Sequence, residues 1–356
     1  MKPKEMPLAG YLLARAAMHR KIEGPDLKNL RNGHESMLQV SDLMPLGRSN
    51  VVQDINKAKN DHLPQRTMAT SNLLEMMIAR QGHTADTVPD SILFQLFAAV
   101  SQHAKTGICS SYSMSTTPVH AAKLADLKDR QAVVAQSRHD TVDHSWSEMI
   151  PKGMRADETP ILSWEDVIMD GWCKNNLAIL REDGKFSRLD KDGKPASFSH
   201  QLFLNRESGP RTLRSVEKFK AQIENTPALE RMFRTDFDHF VAAGAQPRKE
   251  SLWRATSVFH KDFEEQAARA LDKAATASPS VAGAGVKGAD PVSARAKRAS
   301  LTEIQAVGVA RSLGSNIRGA IAEAPKIIAT AKELFPESKS SGSRLPSAEG
   351  SASRGN

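Results

Sequence analysis

Three residues of this sequence carry the side chains of a cysteine-based catalytic triad. Cys109 precedes His144, which lies in Asp143-His144-Ser145-Trp146, and Asp170 ends the apolar run Val167–Met169. A thiol becomes a strong nucleophile when an imidazole takes its proton, and a carboxylate on the second ring nitrogen fixes the tautomer and favours the imidazolium. The set therefore predicts a thiol enzyme with Cys109 as nucleophile, His144 as base and Asp170 as the residue that orients the base.

The residues around Cys109 are typical of a helix start, where unpaired backbone N–H groups and the helix dipole stabilise a thiolate. Gly107 permits a tight turn before the cysteine, and small residues follow it. The backbone N–H of Cys109 would form part of an oxyanion hole. Gln102 and His103 are candidates for its second donor, and a position on a helix surface is the alternative for both.

Two tryptophans and a second cysteine lie close to the triad in sequence. Trp146 and Trp172 are candidates for the walls of the cleft, with packing in the core as the alternative. Cys173 is predicted to be packed without a direct role. Two cysteines are too few for a disulfide framework and suit a reducing compartment, although the sequence leaves a Cys109–Cys173 disulfide open.

A metal site is the competing interpretation of the histidine cluster, because His139, Asp140, Asp143 and His144 are close in sequence. The spacing of the two histidines fits neither one face of a helix nor alternate positions on one face of a strand. A polar loop is therefore the preferred interpretation, and we predict neither a metal nor another cofactor.

The predicted elements place helices before the triad and strands within it. Helices are expected at Pro7–Arg20, after Thr70-Ser71 as cap, after Pro89, and over Ser110–Thr117 until Pro118 interrupts or restarts it. Strands are expected at Val133-Val134, Val142–Ile150, Val167–Met169 and Asn176–Arg181. Two more helices are expected within residues 213–243, the second starting at Pro227, and another at Phe259–Ala275. This order predicts an α+β fold, with helices packed on a small antiparallel sheet.

The C-terminal part has a different composition. Residues 276–356 are rich in Ala, Ser, Gly, Lys and Arg and are predicted to be largely disordered, apart from a weak amphipathic helix over Leu301–Ile321. Much of the net charge of +8 lies there, where Phe335 is the one aromatic residue and no base-reading motif occurs, so no nucleic-acid partner is predicted. No apolar run is long enough to span a membrane, and only weak membrane-surface contact by the tail is compatible with the pattern. A Sec-type signal peptide is not expected either.

The order of a G-x-C sequence, a D-H-x-W strand and an apolar strand ending in Asp resembles the transglutaminase-like cysteine superfamily. More narrowly, Val167–Cys173 followed by Ala178–Leu180 resembles the AvrPphE/HopX family of bacterial type III effectors. The resemblance covers about residues 70–185. Gly171 stands where that family usually has Pro.

The resemblance implies a bacterial effector that a type III system delivers into a host cell, with a host protein as substrate and a secretion chaperone as a further partner. Residues 1–65 would be an irregular secretion segment, and residues 66–275 a transglutaminase- or papain-like catalytic domain. The reaction would be proteolysis, deamidation or transamidation. The alternative is an effector that binds a host protein without catalysis and keeps the triad only as architecture.

Overall fold

The fold was analysed in a computed structural model that describes residues 6–18, 20, 22, 24–126, 131–173, 177–254, 263, 265 and 266. Eight α-helices occur in this part of the chain: α1 (Met6–Ala17), α2 (Gly24–Leu43), α3 (Val52–Lys57), α4 (Leu63–Arg80), α5 (Asp90–Ala104), α6 (Cys109–Lys123), α7 (Ser208–Glu224) and α8 (Pro227–Ala242). None of these helices is both long and apolar enough to cross a membrane.

The described strands form two sheets: β1 (Gly47–Arg48), β2 (Thr106–Gly107), β3 (Val133–His139), β4 (Ser145–Ile150), β5 (Val167–Met169), β6 (Ala178–Leu180) and β7 (Phe198–Asn205). Five of them make one antiparallel sheet in the order β6-β5-β4-β3-β7, and β1 pairs with β2 in parallel. The predicted mixture of helices with a small antiparallel sheet is confirmed.

Helix α6 packs directly on the central strands of the sheet. The Thr117 hydroxyl lies 2.8 Å from the hydroxyl of Ser147 on β4, and Ser147 donates to the carbonyl of Ser113 at 2.9 Å. Farther along the helix, the Ser36 hydroxyl of α2 is 2.9 Å from Nδ1 of His120. These contacts fix the cysteine at the start of α6 relative to β4 and β5.

A buried ion network joins the strands of the sheet. The Arg181 guanidinium contacts the carboxylates of Glu148 on β4 and Asp166 just before β5, and all three side chains have no exposed surface. The Glu148 carboxylate also lies 2.6 Å from Nε2 of His200 on β7. Burial would raise the pKa of Glu148, but Arg181 and His200 hold it at about 2. Arg181, which follows β6, thus links β4 to the segment before β5, and Glu148 links β4 to β7.

Two predicted helices have different limits in the structure. Helix α4 begins at Leu63 with a proline in its first turn, and Thr70 lies inside it, where its hydroxyl donates to the carbonyl of Thr67 at 2.6 Å. The predicted cap at Thr70-Ser71 is therefore wrong. Helix α6 continues through Pro118 to Lys123. Its burial against the sheet offsets the roughly 3 kcal/mol that an internal proline costs.

Helix α2 and strand β7 were not predicted. Residues 1–65 were expected to be irregular beyond Pro7–Arg20, yet Gly24–Leu43 is a helix whose buried side includes Gly33, His34 and Ser36. These residues break up the apolar stripe that would have indicated it. A Cβ on Gly33 would lie 2.9 Å from Cγ1 of Val167, so the glycine allows α2 to approach β5 closely.

The remaining helices within residues 213–243 are confirmed as α7 and α8, and Pro227 stands in the first turn of α8. Most of the helix predicted at Phe259–Ala275, the amphipathic helix at Leu301–Ile321 and the whole of the tail 276–356 lie outside the described residues.

Candidate active site

Cys109 is the first residue of α6. The extended residue Ile108 precedes it, and the backbone N–H of Ile108 donates to the hydroxyl of Ser111 at 3.2 Å. The N–H groups of the first turn of a helix have no partner within that helix, so they point towards the cysteine end. Gly107 has a tight steric requirement, because a Cβ there would lie 2.3 Å from Cβ of Ser111.

His144 lies in the turn between β3 and β4, immediately before Ser145, and not inside a strand as predicted. Its carbonyl accepts the N–H of His139 at 3.0 Å, and its own N–H donates to the carbonyl of Val142 at 2.6 Å. The pairing of β3 with β4 therefore ends beside His144, where the chain turns.

Asp170 follows β5 directly, and its carboxylate is held by four donors. Oδ1 accepts the backbone N–H groups of Trp172 at 3.1 Å and Cys173 at 3.2 Å. Oδ2 lies 2.6 Å from Nε2 of His144 and also accepts the Cys173 thiol at 2.8 Å. An Asp side chain that bonds to its own backbone two residues later is a common turn device. Here the same turn aims the second oxygen at the imidazole.

The electrostatics of His144 favour its charged form. Burial would lower the pKa of His144, but the Asp170 carboxylate and hydrogen bonds with Asp170, Cys109 and Cys173 raise it well above its usual value. Because Nε2 faces Asp170, Nδ1 is the ring nitrogen left for the thiol of Cys109. The Cys109 sulfur is also 3.8 Å from the carbonyl of Asp143. The structure thus brings the three predicted triad residues into one chain of contacts.

Aromatic rings surround the imidazole of His144. Ring centroids lie at 5.2 Å for Trp172, 5.8 Å for Phe186, 6.1 Å for Trp146 and 6.4 Å for Trp253. Trp146 belongs to the main core and has no exposed surface, whereas Trp253 is partly exposed. The enclosure is tight, because Cys109 is only 3% exposed and His144 2%.

The two candidates for the second oxyanion donor lie elsewhere. Gln102 is buried and donates to the hydroxyl of Ser115, nearly two turns along α6 from Cys109. His103 packs its ring on Phe233 at 4.9 Å and contacts the Glu230 carboxylate of α8 at 3.1 Å. Both residues therefore join α5 to its helical neighbours instead of facing the cysteine.

Cys173 is buried, and its thiol also contacts the Asp170 carboxylate. Both cysteines are free, so the disulfide left open by the sequence is not formed. Burial and the nearby Asp170 carboxylate raise the pKa of the Cys173 thiol well above its usual range, which keeps it protonated as a donor to Asp170. The thiol thus helps to hold the carboxylate that holds the imidazole.

His144, Asp170 and Cys173 also form the metal-ligand group found in the described residues, with ligand atoms within 4.8 Å of one another. Zinc accepts this combination of ligands. Two of the contacts in the group have hydrogen-bond lengths: Oδ2 of Asp170 lies 2.6 Å from Nε2 of His144 and 2.8 Å from the sulfur of Cys173. In the cluster considered from sequence, Nδ1 of His139 instead accepts the N–H of Val142, and the Asp143 side chain is 82% exposed.

Sequence reasoning missed two residues that border the site. Asn50 is buried, and its Oδ1 accepts the Trp172 indole N–H at 2.9 Å. Trp253 reaches the site through a bridge between its backbone and residues 50–52. Neither is close in sequence to the triad, and no local pattern indicated them.

A scan of protein-family models and searches of curated proteins and solved structures found no match for this chain. The functional argument therefore depends on the geometry of the site.

Proposed function

We propose that the protein is a thiol enzyme of the acyl-transfer type, with Cys109 as nucleophile, His144 as base and Asp170 as the orienting carboxylate. One observation carries the proposal: Nε2 of the His144 imidazole lies 2.6 Å from the Asp170 carboxylate, and the Cys109 thiol is near enough to the same ring to raise the pKa of His144. A structural histidine needs only one partner, whereas a proton relay needs both, with a nucleophile at one end and a carboxylate at the other.

The reaction starts with transfer of the Cys109 proton to His144. The thiolate attacks the carbonyl carbon of a peptide bond or a glutamine side-chain amide, and the C–N bond breaks as the imidazolium returns the proton to the leaving nitrogen. The products are a thioester on Cys109 and a free amine or ammonia. His144 then removes a proton from water or an acceptor amine, which attacks the thioester and releases the thiol.

Stabilisation of the oxyanion would come from two donors at the start of α6. The backbone N–H of Cys109 is the first. For the second, the side chain of Asn50 is better situated than Gln102 or His103, because the N–H of Ser49 donates to the carbonyl of Gly107 at 2.9 Å and Asn50 follows beside the start of the helix. Its Oδ1 is engaged by the Trp172 indole, which directs its NH₂ group away from that ring.

The transglutaminase-like core, delivery by a bacterial type III system, a host protein substrate and a secretion chaperone remain part of the proposal. They rest on the resemblance of the triad sequences. The second candidate function, host-protein binding with an inactive triad, is favoured by the burial of Cys109, which is only 3% exposed.

Alkylation of the purified protein with iodoacetamide between pH 6 and 9, followed by peptide mapping, distinguishes the two. For an enzyme we expect Cys109 to react faster at pH 6 than a free cysteine peptide, and His144→Ala to abolish the difference. His239→Ala, at an exposed histidine of α8, is the matched control and should behave like the wild type. A Cys109 whose alkylation rate at pH 6 does not change when His144 is replaced would favour the binding protein.

A further inference from the structure

A short segment of the chain lies over the site in an extended conformation. The backbone N–H of Trp253 donates to the carbonyl of Asn50 at 2.8 Å, and the N–H of Val52 donates to the carbonyl of Trp253 at 3.0 Å. These bonds form an isolated parallel β-bridge between Trp253 and Val51. One residue is thus held by both of its backbone groups, which is how an extended peptide docks on a strand edge.

The side chain of Trp253 packs beside the candidate triad. Its ring meets Trp172 edge-on at 5.2 Å and lies 6.4 Å from His144. It packs against the same apolar cluster that contains Cys109 and Val51. The segment is otherwise thinly held, since Ser251 and Arg254 on either side of it are exposed.

The edge that binds Trp253 is in register with the cysteine. Strand β1 pairs with β2, and Ser49 extends this pairing to the carbonyl of Gly107, two residues before Cys109. A polypeptide hydrogen-bonded to Asn50 and Val52 therefore has a fixed position relative to the sulfur. This is what a substrate-binding strand has to provide.

We propose that the Asn50–Val52 edge is the docking strand for an extended polypeptide substrate with a large aromatic side chain. In this structure, Leu252–Arg254 occupies that place, and substrate enters when the segment leaves. The inference rests on the proposed thiol chemistry and adds to it the class and conformation of the substrate: a stretch of protein chain that forms a strand, with its aromatic residue against Trp172.

The test uses the full chain and the rate of modification of Cys109 by N-ethylmaleimide. Trp253→Ala should raise this rate at least fivefold, while Arg254→Ala, at the exposed neighbour, should not change it. In the Trp253→Ala protein, the peptide acetyl-Glu-Ser-Leu-Trp-Arg-amide should restore slow modification. The same peptide with Ala in place of Trp should not.

A second variant acts through the backbone and leaves the tryptophan side chain unchanged. Val52 is the first residue of α3, and Val51 before it is extended with φ −108° and ψ 117°, so Val52→Pro is compatible with both residues. It removes the N–H that holds Trp253. We expect Val52→Pro to speed modification and, combined with Trp253→Ala, to abolish protection by the tryptophan peptide.

Wild-type rates in both Trp253→Ala and Val52→Pro, or equal protection by the two peptides, would overturn the docking proposal. The thiol chemistry is tested separately by adding His144→Ala to Trp253→Ala. If fast modification at pH 6 then persists, the proposed function fails. If the rate of modification of Cys109 depends on His144 but not on Trp253, only the docking proposal is refuted.

Discussion

Replacing Asp170 with Asn tests the central hydrogen bond with a minimal change of shape. The amide oxygen of Asp170→Asn can keep the two backbone hydrogen bonds from Trp172 and Cys173, which turns its NH₂ group towards Nε2 of His144. The imidazole must then accept at Nε2 and carry its proton on Nδ1, the nitrogen left for Cys109. It can no longer take up the proton of the thiol.

The size of the effect follows from the burial of the pair. Asp170 and His144 lie 2.6 Å apart with side chains only 1% and 2% exposed. Removing one charge of a buried pair costs the other about 3–5 kcal/mol, which makes the thiolate–imidazolium pair roughly 150- to 5000-fold less populated. A thiolate freed from the imidazolium is a stronger nucleophile, with a Brønsted slope of about 0.4–0.5. This offsets about half of the loss of population on a logarithmic scale, so the rate falls by roughly the square root of that factor. We expect alkylation of Cys109 at pH 6 to slow about 10- to 100-fold.

The assay is iodoacetamide alkylation at pH 6, 7.5 and 9, with Cys109 and Cys173 distinguished by peptide mapping. The difference from the wild type should narrow towards pH 9, because an ordinary thiol, with a pKa of about 8.5, ionises there without a base. Asp143→Asn is the matched control, since this neighbouring carboxylate is 82% exposed and should leave the rate unchanged. Equal rates for wild type and Asp170→Asn at pH 6 would refute the relay.

Three further predictions concern the scaffold, and urea unfolding measures each. Arg181→Met should lower the free energy of unfolding by about 3–5 kcal/mol at pH 7 and by less at pH 5. Arg181 helps to hold the pKa of Glu148 at about 2, and in the variant the buried Glu148 carboxylate gains a proton as the pH falls, which relieves the cost. A loss that does not depend on pH would contradict this. Burial lowers the pKa of His120 to about 3, so the unfolded chain alone gains its proton below about pH 6.5. Between pH 6 and 4, the free energy of unfolding of the wild type should therefore fall by about 1.4 kcal/mol more per pH unit than that of His120→Gln. If the two proteins lose stability in parallel as the pH falls, the effect is excluded. Gly107→Ala should cost about 1–3 kcal/mol and slow alkylation of Cys109, because its Cβ meets Ser111, and unchanged stability would show that α6 can shift.

The sequence predicted the fold best where one element carries one uninterrupted pattern. Strand β5 is a continuous apolar run, and α8 has an apolar face that starts at a proline. Helix α2 could not be found in this way, because Gly33 and Ser36 on its buried side are selected by contact with distant elements and not by local hydrophobicity. The limit set at Pro118 failed for a similar reason: burial of α6 outweighs the local cost of the proline.

The site residues, too, could be predicted only where the local sequence carries the information. Cys109, His144 and Asp170 were predicted to belong together because each has a local context with a chemical meaning, and the structure brings them into contact. The contexts of Gln102 and His103 were equally local, but their orientation on α5 depends on packing against α6 and α8. Contacts between residues far apart in sequence, such as those of Trp253, have no local signature at all.

The enclosure of the triad suggests how a buried ion pair can coexist with a cysteine that is uncovered when one segment leaves. A charge pair such as His144–Asp170 is strongest when water is excluded, and Trp146 on the core side contributes to this without any exposed surface. Trp253 is attached differently, by two backbone hydrogen bonds at an edge. If it leaves, the cysteine end of the relay opens while Trp146 still covers the imidazole. The site could therefore admit a polypeptide without hydrating the His144–Asp170 pair.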